Sequence, residues 1–457
     1  MAAPKLSAIK TIVIVMLENR SFDHMLGYRS LEKFGALNIE GLKDDKTWND
    51  RVANPYKGAR YPLFHSTDPF NAMPGDPPHE RENIALNLGR KSADGYAMDG
   101  FVENYAKNTK GVSVKPGDRP PVMGYFTPPE VPMAHFLADN FAICDHWYSA
   151  IPAGTQPNRL MAMSGVTKID KNSSLLLPNQ PLLYDWLTER KITWRVYHQG
   201  LPFFALMKRW IRPVLTDDDH FRRFTAIDGD LMQGLADEIP QVLFFEPSYT
   251  DAPHRGISSD DHAPSAAKGG QEFIHNVYKA FATLNPDIWS QMVMIITYDE
   301  HGGFFDHVSP PEISTSPPPG ATYTRKFDSL GVRVPAFVVS PFVKPGSVFT
   351  QTLDHTSILK FVAQVFNDGH YSREVDERKV GTVYDVLNLD SAHGQPMAPP
   401  AIGDYLKRKV PSVGYTPGKA PHNETAESFR KALDEMKDDS HSKTMAKFGD
   451  EVEPFIT

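Results

Sequence analysis

Apolar positions in this chain gather into short, uninterrupted runs, and two of those runs stop abruptly at charge. Ile12 to Leu17 ends in Glu18 and Asn19, and Met292 to Tyr298 ends in Asp299 and Glu300. A continuous β-branched run without polar alternation predicts a strand buried on both faces, as in a parallel sheet covered by helices. Similar runs predict strands over Ile143 to Ser149, Ile192 to His198, Gln241 to Glu246 and Val332 to Pro341. Between them lie helix-like stretches: Val131 to Phe141, Leu182 to Arg190, Gly270 to Phe281 and an amphipathic segment after His355. Strands interleaved with helices predict an α/β fold with a central, largely parallel sheet.

The chemistry is expected where those strands end. In open α/β sheets, ligands bind outside the carboxyl ends of the strands. A carboxylate beside an amide carbonyl makes a pair of hard-metal ligands, so Glu18 with Asn19 and Asp299 with Glu300 are candidates. The competing reading makes Glu18 and Asn19 caps of the next helix, with Ser21 and Asp23 supplying N-terminal charge. Gly302 and Gly303 allow a tight turn directly after the second pair. His301, Asp306 and His307 follow close behind.

Other positions have two readings each. His79 precedes a helical stretch and serves either as a cap or in the site. Thr155 opens the TQPNR segment. A hydroxyl there is an N-cap or a nucleophile, because helix-terminal N–H groups also stabilise an anion. Asp260, Asp261 and His262 form either an ordinary polar loop or a metal or proton-transfer station. His198 ends a strand, and Asp354 and His355 precede a helix.

A long Pro-, Gly- and Asn-rich stretch from Asn49 to Pro78 predicts a surface excursion. One catalytic domain is expected over residues 1–410, with insertions at about 30–130 and 200–270, followed by an exposed, charged helix and tail over 411–457. Phe70, Met73, Met98, Phe101, Met123, Tyr125 and Phe126 lie on the first insertion. They either pin it to the core or build an apolar wall beside Thr155 and His79.

The formal charge of −8 over 457 residues, with no basic run, excludes an electrostatic footprint for nucleic acid. No apolar run approaches the roughly 20 residues a membrane span needs. The first strand begins almost at once, leaving no room for a signal peptide. A cytoplasmic or peripheral membrane location is therefore expected, or secretion with the leader removed. Cys144 is the single cysteine, so an internal disulfide and a thiolate metal cluster are both excluded.

ENRSFDH, TQPNR, DDHAPS, YDEHGGFFDHV, VPAFVVSPF and DHTSILKF, between residue 10 and about residue 365, together resemble one phosphoesterase family. It contains bacterial phosphatidylcholine-hydrolysing phospholipases C, plant non-specific phospholipases C and a group of bacterial acid phosphatases, within the alkaline phosphatase-like superfamily. The resemblance implies an alkaline phosphatase-like α/β sandwich and metal-assisted phosphoryl transfer through a covalent intermediate. Carried over position by position, Glu18, Asn19, Asp299 and Glu300 are the ligands of one divalent metal ion or more. Thr155 is the nucleophile, a position that is serine in some members. His79 and His262 contact the phosphoryl group or act as acid and base; Asp261, His355, His198 and His301 match less closely. The implied function is a phospholipase C acting on phospholipid, with transient membrane-surface contact. An acid phosphatase acting on small phosphoesters is the first alternative, and a catalytically silent lipid- or metal-binding protein the second.

Overall fold

The structure, a computed structural model, describes residues 5–67, 75–233, 239–254, 256–408 and 422–456. Eight strands form the central sheet: β1 (Thr11–Leu17), β2 (Ala142–Cys144), β3 (Trp194–His198), β4 (Phe221–Arg223), β5 (Val242–Glu246), β6 (Met292–Tyr298), β7 (Ala336–Val339) and β8 (Val348–Phe349). Their spatial order is β4-β3-β5-β1-β6-β7-β2-β8. Only β7 runs against the rest, pairing antiparallel with both β6 and β2. The expected α/β sandwich with a largely parallel sheet is the fold found.

β1 lies at the middle of the sheet, in register with β5 on one side and β6 on the other, Val15 facing Phe245 and Ile296. Every residue of β1 and β6 is buried, as their unbroken apolar sequences require.

Six helices matter for the site: α1 (Arg81–Leu88), α2 (Pro132–Asn140), α3 (Thr155–Ser164), α4 (Lys268–Leu284), α5 (Thr356–Phe366) and α6 (Glu424–Ile456). Ile14, Met16 and Phe244 pack with Ala162, Met163 and Ile358, so α3 and α5 cover one face of the sheet. Phe245, the next residue on its strand, points the other way and meets Phe281 of α4 edge-on at 5.9 Å.

The first insertion has its own small core, in which Tyr61, Ile84, Phe101, Met123, Phe304 and Phe305 are packed together. The described part of the Asn49 to Pro78 stretch carries regular structure, with a helix over Lys46–Val52 and a hairpin of Asn54–Tyr56 with Ala59–Tyr61.

Burial also decides the question of the apolar wall. Met98, Phe101, Met123 and Phe126 are inside and Tyr125 is half-buried. They pin the insertion instead of lining an open surface beside Thr155; Phe70 and Met73 fall outside the described residues.

The C-terminal helix departs from expectation as well. Phe429, Ala432, Leu433 and Met436 of α6 join the main core. The residues recur every three or four positions, giving one apolar stripe that heavy charge on the other faces disguises. Cys144 is buried, as a structural thiol would be. No helix among the described residues is long and apolar enough to cross a membrane.

Candidate active site

The carboxyl ends of β1 and β6 deliver their polar residues to one buried point. Glu18 and Asn19 are not caps: Ser21 caps the following turn, its side chain accepting from the His24 N–H at 3.3 Å. Asn19 instead adopts the left-handed conformation, φ 62°. Its backbone N–H donates to Asp299 Oδ1 at 3.2 Å. Gly302 and Gly303 both take positive φ, and a Cβ on Gly302 would stand 2.2 Å from the Asn19 carbonyl oxygen. Only glycine permits this approach of the two chain segments.

Thr155 is the first residue of α3, and Gly154 holds the N-cap position. The Thr155 side chain makes no capping hydrogen bond; its hydroxyl points to Asn19 Oδ1 at 3.4 Å. One turn later on the same helix, Arg159 Nε lies 3.2 Å from both Glu18 Oε1 and Asp299 Oδ2. Burial alone would raise the Glu18 carboxyl, yet the Arg159 guanidinium and the His262 ring hold it below its ordinary value. Asp299 is pushed well above the usual carboxylate range by burial and by the charge on Glu18. Glu300 accepts the Gly302 N–H at 2.9 Å through Oε2, while its Oε1 is buried without a hydrogen-bond partner.

The two candidate histidines meet edge-on, ring centroids 5.6 Å apart. His79 stands before α1, whose N-cap is Glu80, so the cap reading falls away. Its Nδ1 lies 2.7 Å from the Pro77 carbonyl and its Nε2 3.3 Å from the Asn19 amide. Burial works against its protonation, but Glu300 and Asp76 outweigh this and raise it to about 9. His262 is gripped between Glu18 Oε2 at 3.0 Å and Asp76 Oδ2 at 3.2 Å. Despite burial, Asp76 and Asp251 raise it well above the ordinary histidine value. Acidic neighbours thus favour the protonated form of both rings.

The remaining candidates stand behind this centre. His355 Nε2 donates to the Asp299 carbonyl at 2.6 Å. Its Nδ1 accepts from the indole N–H of Trp147 at 3.2 Å. An indole only donates, so the tautomer is fixed and the ring is neutral; burial lowers it to about 4. His301 is buried, with Nε2 on the Asn87 amide at 3.0 Å and Phe101 edge-on to its ring. Asp261 faces Tyr298, whose hydroxyl donates to Oδ2 at 2.7 Å, and burial raises it to about 6. His198 lies apart from the group: its Nδ1 meets the Gly200 carbonyl at 2.8 Å and its ring packs by Phe448 of α6. Burial lowers it to about 3. Its place at the end of β3 looks equivalent in the sequence, but β5 stands between β3 and β1.

The chain matches the Phosphoesterase family over residues 9–367.

It belongs to that family.

Non-specific phospholipase C3 of Arabidopsis thaliana is 32% identical over 412 residues, covering 84% of this chain and 74% of the relative. Non-hemolytic phospholipase C of Burkholderia pseudomallei is 29% identical over 458 residues, 86% of this chain and 61% of that protein. Among solved structures, a protein in the alkaline phosphatase superfamily from Vibrio parahaemolyticus is similar with a TM-score of 0.31 at 11% identity, over 72% of this chain and 84% of that one.

Among the described residues of this phosphoesterase, three groups of acidic and histidine side chains are close enough to hold a metal ion: Asp76, His79 and His262; Glu18, Asp260 and His262; and Asp23, Asp306 and His307. None of these groups is the set expected from the sequence, Glu18, Asn19, Asp299 and Glu300, of which only Glu18 belongs to one, though the all-oxygen donors of that set are of the class a hard cation takes. The orphaned Glu300 Oε1 and the thinly partnered Asn19 Oδ1 leave lone pairs to spare.

Sequence reasoning passed over Arg159, Asp76 and Asp251. Two of them had a signal available. Arg159 is four residues past Thr155, hence on the same helix face, and Asp76 is three before His79 in GDPPHE.

Proposed function

We propose that this phosphoesterase is a hydrolase of phospholipase C type, releasing diacylglycerol and a phosphorylated headgroup from glycerophospholipids, with Thr155 as nucleophile. One observation carries the reading: a threonine hydroxyl at a helix start, engaged in no cap, meets the acid and amide ends of two parallel strands, with two buried histidines alongside. The relatives, phospholipases C from plants and bacteria, support the substrate class.

We assign Glu18, Asn19, Asp299 and Glu300 to hold a divalent ion of the hard class. What such an ion supplies is charge, neutralising phosphoryl oxygens and easing loss of a hydroxyl proton. The residues do the rest. Asn19 aims the Thr155 hydroxyl, which attacks phosphorus as its proton leaves to water, and the N-terminus of α3 favours the anion that forms. The P–O bond to glycerol breaks, and its alkoxide takes a proton from His79, whose Nδ1 is tied to Pro77 so that Nε2 faces the centre. His262, fixed between Glu18 and Asp76, places positive charge beside the phosphoryl oxygens. Water then hydrolyses the phosphothreonine and restores the hydroxyl.

A second reading, a phosphomonoesterase of acid phosphatase type, is favoured by the polar surroundings of Thr155. Asn172 and Glu80 flank Gly154, and Met98, Phe101, Met123 and Phe126 of the insertion are buried in the core. The two are separated by comparing p-nitrophenyl phosphate, p-nitrophenylphosphorylcholine and phosphatidylcholine micelles across pH, with Thr155→Ala as control. Phospholipase activity requires kcat/KM for the choline diester to exceed that for the monoester. A monoester preference of about tenfold, roughly 1.4 kcal/mol of transition-state binding, hands the assignment to the phosphatase.

A further inference from the structure

Arg159 is the most fully engaged side chain near the site, and nothing in the proposed chemistry uses it. It is completely buried. Nε reaches Glu18 Oε1 and Asp299 Oδ2, both at 3.2 Å. Nη1 donates to the Tyr249 hydroxyl at 2.8 Å, and Nη2 lies 3.3 and 3.2 Å from the carbonyl oxygens of Met16 and Leu17. One planar group thus ties α3, which begins with Thr155, to the ends of both strands that carry the acids.

We propose that Arg159 is a positioning residue and a built-in counter-cation: it holds Glu18 and Asp299 together when no other cation is bound, and so keeps the ligand set assembled around Thr155. This rests on the reading that Glu18 and Asp299 are ligands of a divalent ion. Two buried carboxylates in one pocket repel unless a cation lies between them. A divalent ion and Arg159 then act on the same pair. The guanidinium stabilises the ion-free protein, and its charge also opposes the incoming ion. Removing it must therefore weaken the ion-free fold while tightening ion binding, since an ion that binds only the folded state raises stability in step with its affinity. A residue that only packs would loosen binding when lost.

The test uses the full chain, wild type and Arg159→Gln, stripped with chelator and titrated separately with Mg2+, Mn2+ and Ca2+, following melting temperature and calorimetric Kd. The expected result is a stripped variant melting at least about 5 °C below stripped wild type. Its Kd for whichever ion binds wild type is about tenfold tighter, and kcat falls with KM within about twofold. An unchanged or weaker Kd overturns the proposal. Should Arg159→Gln not fold, Glu18→Gln/Arg159→Gln removes the charge that needs compensating. Recovery of a folded double variant supports the counter-cation role, and failure of the double variant as well overturns it, leaving Arg159 a packing residue. If no ion binds wild type, the metal reading fails by itself. The counter-cation claim is then decided by the stripped proteins: melting loss in Arg159→Gln that shrinks by more than half in the Glu18→Gln background supports it, and an unchanged loss overturns it.

Discussion

Two buried acid clusters are built from the same two chain segments, a few residues apart, and each is joined by one buried arginine. In the first, Glu18 and Asp299 meet Arg159; in the second, Asp23 and Asp306 meet Arg333 at 3.1 and 2.9 Å. Their difference is in what remains unpartnered. In the second cluster His307 donates to Asp23 Oδ2 through its backbone N–H at 2.8 Å and its ring at 2.7 Å. Asp306 accepts from the Val308 and Asp23 backbone N–H groups at 2.9 and 3.1 Å. All four of its carboxylate oxygens are occupied. The four oxygens of Glu18 and Asp299 are occupied too, by Arg159, His262 and the Asn19 and Glu300 backbone N–H groups, but the residues beside them are not: Glu300 leaves Oε1 bare and Asn19 Oδ1 has one long contact with Thr155. A saturated cluster braces a fold, whereas an under-saturated one has room for a ligand, so a count of spare lone pairs separates two sites that composition alone would equate.

Substitution can break that contrast. The largest effect belongs to Thr155→Ala, expected to lower kcat by on the order of 10^4-fold while the melting temperature stays put, since the hydroxyl caps nothing. Steady-state kinetics with thermal melts check it, and activity within a few-fold of wild type would sink the nucleophile assignment. Arg333→Met should do the reverse. Leaving Asp23 and Asp306 uncompensated costs about 3–5 kcal/mol of stability, read by denaturant unfolding, with kcat per folded molecule changed only a few-fold. Asp299→Asn should lower activity on the order of 10^2-fold with a small melting shift. A large stability loss there would place both clusters in the same structural class.

Smaller effects sharpen the picture. Glu300 and Asp76 raise His79 from its ordinary 6.5 to about 9 despite its burial. A raised folded value means its stabilisation is fully present below about pH 6.5 and is lost as pH climbs through about 9. The pH dependence of unfolding should therefore show on the order of 3 kcal/mol that disappears in His79→Gln; parallel curves for the two proteins would refute this. Smallest of all is His198→Gln, expected to leave kcat within about twofold, because that ring is neutral throughout the working range and faces Phe448.

The strands and their acidic ends were legible because burial on two faces writes itself locally, as an apolar run of six residues at Ile12–Leu17 and of five at Met292–Ile296. The turn at Gly302 was legible for a similar reason. Partners were not. Arg159 is about 140 positions from Glu18 and from Asp299, and nothing in TQPNR says where its guanidinium will rest. His198 misled because a strand end looks the same in sequence whichever place the strand takes in the sheet. In α6 the apolar stripe of Ala426, Phe429 and Leu433 was present, but glutamates, lysines and aspartates between its members concealed it.

Asn19 carries a consequence for anyone who would redesign this enzyme. Its backbone sits in a region that few side chains enter, and its amide oxygen is the atom toward which the threonine points. Glutamine reproduces the amide but resists the conformation, and glycine accepts the conformation but has no amide. Aspartate alone approaches both and adds a negative charge to a pocket already crowded with them. A saturation library at this position should therefore return the parent residue almost exclusively.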